Sequence, residues 1–321
     1  MRLRVGVLGA GHFGRFHALK AAKGARMDLV GLHDADPARA ALVAGEAGCP
    51  ALTAEALVAA SDAVIVAAPT RFHHPLATAA LEAGRHVLVE KPIAATLDEA
   101  DALVALARAR GVVLQVGHLE RFSGGMRALR AEGGLAARIG RPLYLEAVRI
   151  APFRPRSLDV SVVLDLMIHD LDLALALAAA PLVGVDAVGT AVASDHVDIA
   201  NARLRFGNGA VATITASRVS LRTERRLRLF GDAGYLNLDH LAREMTWARR
   251  GEGEPTDAIP GFGLRTATWG ESDSLEAEHA AFAAACLDGA PVEVDGAAGR
   301  AALDAAVRVE EAVRASLEAI A

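Results

Sequence analysis

Aromatic residues are scarce, at 4% of a 321-residue chain, which leaves little from which to build a base-stacking surface. Positive charge is not in excess either. The formal net charge is -5 at pH 7, so no overall field draws nucleic acid to the protein. Only two cysteines occur, Cys49 and Cys286. They lie far apart in no ligand-like spacing, which argues against a disulfide framework and for a reducing compartment. No long hydrophobic run is present. The longest, 173–185, is too short for a bilayer and is interrupted by Pro181 and Gly184. The N-terminal apolar run is short and leads straight into a glycine-rich turn, unlike a signal peptide. These features read as a cytoplasmic protein without nucleic-acid or membrane partners.

What is there is a globular composition, 53% hydrophobic and 23% charged, at a length suited to two domains. The first third alternates short apolar runs with helical patterns. LRVGVL (3–8), DLVGLH (28–33), AVIVAA (63–68), HVLVE (86–90) and VVLQV (112–116) read as strands buried on both faces. Asp36-Pro37 is an N-cap followed by proline at the first helical position. Thr96-Leu97-Asp98-Glu99 is a capping box, and Gly111 ends the helix it begins. This rhythm implies a doubly wound parallel sheet.

After about residue 120 the rhythm changes. YLEAVRI (144–150), VDIANARLRF (197–206), AVATITASRV (210–219), RLRLF (226–230) and YLNLD (235–239) come close together. Phe206-Gly207-Asn208-Gly209 signals a hairpin, because Asn-Gly accepts positive φ. A helix over roughly 160–180 and an Ala-rich helix over roughly 296–319 complete the pattern. The expected fold is α/β: an N-terminal Rossmann domain over 1–120, and an α/β domain with an open, largely antiparallel sheet over 121–321. The C-terminal helix is free to pack back on the first domain.

Gly9-Ala10-Gly11-His12-Phe13-Gly14 is G-x-G-x-x-G between a strand and a helix, with Asp34 ending the second strand 20 residues beyond Gly14. Gly9 permits the tight turn, Gly11 lets a pyrophosphate approach, and Gly14 lets helix and strand pack closely. The helix N-terminus, with His12 and Phe13, presents free N–H groups to phosphate. Asp34 suits the ribose hydroxyls and repels a 2′-phosphate, which favours NAD over NADP. A protonated His33 beside it would tolerate phosphate. The alternative is an ordinary βα turn without a ligand.

Two further loops follow strand ends, where such sheets bind ligands. One holds Pro69, Thr70 and His74; the other is Glu90-Lys91-Pro92. Farther on, the segment LDLMIHDLDLALALA (164–178) is mostly apolar yet holds three aspartates and a histidine. At about 100° per residue, His169 sits about 40° and Asp172 about 20° from Asp165, on one face, while Asp170 points away at about 140°. Three readings are open: a core histidine satisfied by its carboxylates, a metal site, or a catalytic dyad. Burying two carboxylates beside one imidazole is a poor structural device, and no further His or Cys motif supports a metal.

The succession of G-x-G-x-x-G, A-P-T-x3-H (68–74), E-K-P (90–92) and D-x3-H-D (165–170) resembles the Gfo/Idh/MocA oxidoreductase family, over nearly the whole chain. The resemblance implies an NAD(P)-binding domain, a second domain whose open sheet makes dimers or tetramers, and hydride transfer at a carbinol carbon of a sugar, nucleotide sugar or cyclitol. It assigns Lys91, Asp165 and His169 to the catalytic group, and it implies that the Lys91-Pro92 peptide can be cis. Two stretches, VGHLERF (116–122) and DVSVVLDLMIHD (159–170), are similar to the subgroup of UDP-N-acetylglucosamine 3-dehydrogenases. The likeness departs at Ser123-Gly124-Gly125, where that subgroup usually carries Asn-Pro-Ala.

On this resemblance His169 accepts the hydroxyl proton, its ordinary pKa lying near neutrality. Asp165 orients the hydroxyl or the imidazole, and Lys91 stabilises the developing alkoxide or itself accepts the proton. Arg121, Arg154 and Arg156 are candidate partners for a nucleotide diphosphate, and His118 a candidate for the sugar. A dehydrogenase of a free sugar or inositol would not need Arg154 and Arg156. A non-catalytic NAD-binding sensor would not need Lys91, Asp165 and His169 intact.

Overall fold

The computed structural model describes residues 1–155, 160–257 and 259–319. The chain divides into two compact units, Met1–Phe122 with Asp273–Leu303, and Ser123–Ser272 with Asp304–Ala321. The division thus falls close to residue 120, but a segment assigned by sequence to the second domain returns to the first unit.

The first unit opens with β1 (Leu3–Leu8), α1 (His12–Lys23), β2 (Met27–His33), α2 (Pro37–Ala47), α3 (Ala54–Ala60), β3 (Ala63–Val66), α4 (His73–Glu82), β4 (His86–Glu90), α5 (Leu97–Arg110) and β5 (Leu114–Gly117). The five strands form a wholly parallel sheet in the order β2-β1-β3-β4-β5. Val5, Val7, Val64, Ile65, Val87 and Leu88 are fully buried, as strands covered on both faces must be. The helix ends behave as their residues dictate. Asp36 accepts from the N–H groups of Ala38 and Arg39. Thr96 and Glu99 cap each other's backbone, and Gly48 and Gly111 close α2 and α5 in the left-handed conformation.

The second unit contains α6 (Gly124–Ala131), α7 (Gly134–Ile139), β6 (Pro142–Ile150), α8 (Ile168–Ala178), β7 (Leu182–Thr190), β8 (Ile199–Phe206), β9 (Val211–Ser217), β10 (Glu224–Gly231), β11 (Gly234–Asp239), β12 (Glu244–Arg250), β13 (Glu254–Pro255) and β14 (Phe262–Thr268). Its nine strands run β13-β14-β12-β11-β10-β6-β9-β8-β7. Only β6 and β9 pair in parallel. The Asn208-Gly209 turn joins β8 to β9, with Gly209 at φ +86°. Side chains alternate. Leu145, Ala147, Ile214, Leu227, Leu229, Leu236 and Leu238 are buried on the helix-covered face. Tyr144, Glu146, Thr213, Thr215, Arg226, Arg228, Phe230 and Tyr235 stand half-buried on the other.

The chain then forms α9 (Ser274–Asp288) and α10 (Gly296–Glu318). α9 gives a physical reason for the interleaved units. Its Phe282 and Ala283 are fully buried in one cluster with Leu3, Val5, Val7, Ala18 and Met27 of the first unit. Among the described residues no helix is long and apolar enough to cross a membrane.

Candidate functional site

In a parallel doubly wound sheet, the crevice opens at the carboxyl edge where connections depart in opposite directions. Here that point lies between β1 and β3. The glycine turn follows β1, and Ala67–Thr70 follows β3. Gly9 has φ +106°, and a Cβ there would sit 2.5 Å from the carbonyl oxygen of Ala67. A Cβ on Gly14 would sit 2.0 Å from the carbonyl oxygen of Gly9, so helix and turn touch backbone to backbone. A Cβ on Gly11 would meet nothing within 4 Å, and no side chain caps α1. The first turn of α1 is therefore open at Gly11, with its N–H groups free of a side-chain cap, as a pyrophosphate requires.

Asp34 accepts from the Ala10 N–H at 2.7 Å and the Asp36 N–H at 2.8 Å, with Arg39 Nε at 3.3 Å. Burial would raise its pKa; the two N–H groups and the Arg39 guanidinium prevail and lower it. The carboxylate is thus ionised and fixed against the glycine turn. His12 and Phe13 stand exposed at the start of α1, with His12 edge-on to both Phe13 and Phe16. Pro69 is exposed, while Thr70 and His74 are half-buried.

Glu90 and Lys91 close the same edge at the end of β4, and the Lys91-Pro92 bond is cis. Glu90 lies over Gly117, where a Cβ would come within 3.1 Å of its carboxyl carbon. Its carboxyl accepts from the Lys91 N–H at 3.2 Å and meets His17 Nε2 at 2.9 Å. Neither His17 nor His73 was a candidate on sequence grounds. His73 is buried with Nδ1 2.8 Å from the Pro92 carbonyl and Nε2 2.8 Å from the Ala68 carbonyl. Burial holds this imidazole below its ordinary value. As a neutral ring it donates one N–H, joining the loops after β3 and β4. Its only linear signal was a second histidine beside His74. His118 follows β5 and is fully buried; Arg121 is half-buried.

In the second unit Asp165 and His169 are both half-buried. The local helix differs from the expected one. Val163–Met167 is a π-helical turn that passes into α8 at Ile168. Its wider turn departs from 100° per residue, and such turns concentrate at functional sites. The approach is anchored on several sides. Arg218 donates to the Val160 carbonyl at 2.9 Å, and the Val162 N–H donates to the Val197 carbonyl at 2.8 Å. Ser161 donates to Glu310, and its oxygen accepts from the Leu164 N–H at 3.4 Å.

Asp172, expected on the same stripe as Asp165 and His169, is fully buried inside this unit. Asp170 receives two hydrogen bonds from Arg149 of β6, at 2.6 and 2.8 Å. That pair ties α8 to the sheet, so the outlying carboxylate is an anchor. Arg154 is exposed in the strand-to-helix connection; Arg156 lies outside the described residues. Among the described residues no group of three or more His, Cys, Asp or Glu side chains is arranged to hold a metal ion.

The model of the oxidoreductase family with an NAD-binding Rossmann fold (Gfo/Idh/MocA) matches residues 3–118. The model of its C-terminal domain matches residues 136–237. The chain is 43% identical to the UDP-N-acetylglucosamine 3-dehydrogenase of Acidithiobacillus ferrooxidans, over 99% of both chains. A solved structure of that enzyme superposes with a TM-score of 0.91, covering 98% of each chain. The chain is also 30% identical to the inositol 2-dehydrogenase of Rhizobium meliloti, over 96% of this chain and 97% of that one.

Proposed function

The chain belongs to the Gfo/Idh/MocA family of NAD-binding oxidoreductases acting on CH–OH groups, and from that premise we propose that it oxidises the C3 hydroxyl of a UDP-N-acetylhexosamine to a ketone. The observation that carries the reading is the 43% identity to a UDP-N-acetylglucosamine 3-dehydrogenase over 99% of the chain. The sequence carries Lys91, Asp165 and His169, the residues the proposed reaction uses.

NAD, when bound, supplies the hydride acceptor. The remaining chemistry belongs to side chains. His169 accepts the hydroxyl proton, a contribution of about 10²–10⁴-fold for a well-placed base. Asp165, one turn earlier, orients the hydroxyl or the imidazole. Lys91 offers positive charge to the oxygen as its proton leaves. Arg121 and Arg154 are the described candidates for binding the diphosphate. His118, buried beyond β5, completes the proposed sugar contacts.

A second copy of the chain is the partner proposed for the face of the nine-stranded sheet opposite its helices. There the Phe230 ring lies between those of Tyr144 and Tyr235, tilted to each, with centroids 5.7 and 4.8 Å away. The pairs Arg228–Glu146 and Arg226–Glu224 flank this cluster. An aromatic centre with a charged rim suits a homodimer or homotetramer interface. Both cysteines are free thiols, in keeping with a cytoplasmic setting.

The 30% identity to an inositol dehydrogenase favours a second reading, oxidation of a free cyclitol or sugar. NADH formation at 340 nm with UDP-N-acetylglucosamine, myo-inositol and glucose separates the two. A larger kcat/KM for the nucleotide sugar is expected, and a larger one for myo-inositol overturns the first reading. His169→Ala should cut turnover at least a hundredfold while NAD still binds; near-normal turnover refutes its assigned role.

A further inference from the structure

Behind the Glu90-Lys91 turn runs a string of buried titratable groups that the proposed reaction leaves unused. His17 Nε2 lies 2.9 Å from Glu90 Oε1, and His17 Nδ1 lies 2.9 Å from His279 Nε2. His17 is fully buried and His279 is 4% exposed. Both rings sit between α1 and α9, behind the carboxyl end of β4. Glu278 is fully buried next to them, and among the described residues neither of its oxygens has a hydrogen-bond partner.

The protonation of this string follows from its neighbours. Burial alone would raise the Glu90 carboxyl, but the His17 hydrogen bond and the charges of His17 and Lys91 hold it below its usual value. Burial and the Glu90 charge push Glu278 well up, so it stays neutral and adds no second negative charge. Burial holds His279 well below its ordinary value. A neutral His279 that donates from Nε2 forces His17 to accept at Nδ1 and to carry its own proton on Nε2, against Glu90. If His17 is instead an imidazolium, it donates to both. In either arrangement Glu90 receives an N–H, and the second histidine selects that tautomer.

We propose that His17 and His279 are positioning residues acting through Glu90: they hold its carboxylate as the fixed counter-charge that keeps Lys91 an ammonium. This rests on Lys91 serving as the cation of the proposed reaction. Among the described residues Glu90 interacts with His17 from α1, His73 from α4, Glu278 from α9 and Lys91 on its own turn; His17, Lys20 and Asp273 interact with His279. Gly117 of β5 leaves the space Glu90 occupies. Loss of the His17 donor would leave a buried carboxyl that takes up a proton, and the negative charge that Glu90 sets against Lys91 would be lost.

The chain has only three lysines, Lys20, Lys23 and Lys91, so the test can be read directly. The pH dependence of acetic anhydride labelling, followed by peptide mass spectrometry on the full folded chain, gives the Lys91 titration. Exposed Lys23 serves as the internal reference. In His17→Leu the Lys91 midpoint should fall by about one pH unit, the low end of what an opposite neighbouring charge is worth. In His17→Gln, whose amide still donates to Glu90, it should stay near the parent value. The alkaline limb of kcat/KM should move with the labelling midpoint. An unmoved Lys91 midpoint in folded His17→Leu, or an equal fall in His17→Gln, overturns the proposal. Should His17→Leu fail to fold, His279→Leu is read in the same way, since it removes the N–H that selects the tautomer. Labelling needs no substrate, so a wrong sugar assignment leaves this result standing on its own.

Discussion

Asp170→Ala removes one partner of an ion pair that the second unit has enclosed. The Arg149 and Asp170 side chains are 11% and 8% exposed, so solvent screening is small. Their two contacts, at 2.6 and 2.8 Å, form a bidentate pair, the strongest arrangement a guanidinium and a carboxylate make. Hydrogen bonds to charged groups contribute about 1.5–3 kcal/mol each, and removing one partner of a buried pair costs about 3–5 kcal/mol. The surroundings favour the middle of that range or above. Arg225 stands directly across from Arg149 in the strand register. Burial, then Arg225 and Arg149, holds His240 at about 3. The neighbourhood is already cationic, and Asp170 is a carboxylate that opposes it. A loss of about 4 kcal/mol corresponds to a melting point lower by roughly 8–16 °C for a unit the size of the second one. Circular dichroism melts and urea titrations of the full chain read it. Asp170→Leu combined with Arg149→Met should be less damaging than either single change, because no charge is stranded. A loss below about 1 kcal/mol for Asp170→Ala would refute the reasoning, since that is the scale of an exposed pair.

Four further outcomes follow from the first unit and from the support of the candidate site in the second. Gly14→Ala should abolish NAD binding and lower stability, because its Cβ would meet the Gly9 carbonyl at 2.0 Å. Gly11→Ala, with nothing within 4 Å, should leave the melting point unchanged yet weaken NAD binding at least tenfold by calorimetry. Asp34→Ser should free Arg39 for a 2′-phosphate and raise the NADP-to-NAD ratio of kcat/KM by about a hundredfold, roughly the 3 kcal/mol of losing one charge repulsion and gaining one charge-assisted contact. Asp198 is fully buried; burial raises its pKa, but the N–H groups of Ala193 and Val192, Arg218 and Ser194 bring it far below the usual range. A depressed carboxyl contributes stability that is complete above its unfolded pKa of about 3.9 and is lost as pH falls below it. The urea midpoint should therefore drop between about pH 4 and pH 3, and Asp198→Asn should be weaker at pH 7 with less of that drop.

The parallel sheet was legible because its signals are local. Strands buried on both faces read as unbroken apolar runs, and Asp36, Thr96 and Gly111 mark helix ends by their own backbone chemistry. Where local signals conflict or are missing, the sequence misled. The apolar run 173–185 is the end of α8, a reversal at Ala179 with φ +50°, and the start of β7. α9 was missed, although it fills the first unit's core with Phe282 and Ala283. Asp273 caps its start and Gly289 its end, but neither signal says which unit the helix packs on. β12 and β14 were missed as well, being strands whose alternation is diluted by arginine and threonine.

The candidate site divides along the same line. The glycine turn, Asp34 and the Glu90-Lys91-Pro92 turn could be found because each is a short contiguous pattern. The angle from Asp165 to the rest of the stripe departs from the expected one for a physical reason: the π turn over Val163–Met167 changes the angle per residue just where Asp165 sits. Asp170, expected to point away, is the anchor to Arg149, and Asp172 is buried, while Asp165 and His169 keep partial exposure. His17 was the least legible of all. Its partners lie 73 and 262 residues away, and an imidazole on a helix beside alanines looks the same whether it packs or holds a proton. What distinguishes the two is the company it keeps. An ionised Glu90 on one side and a neutral His279 on the other leave its Nε2 proton one place to go, and that place is the carboxylate beside Lys91.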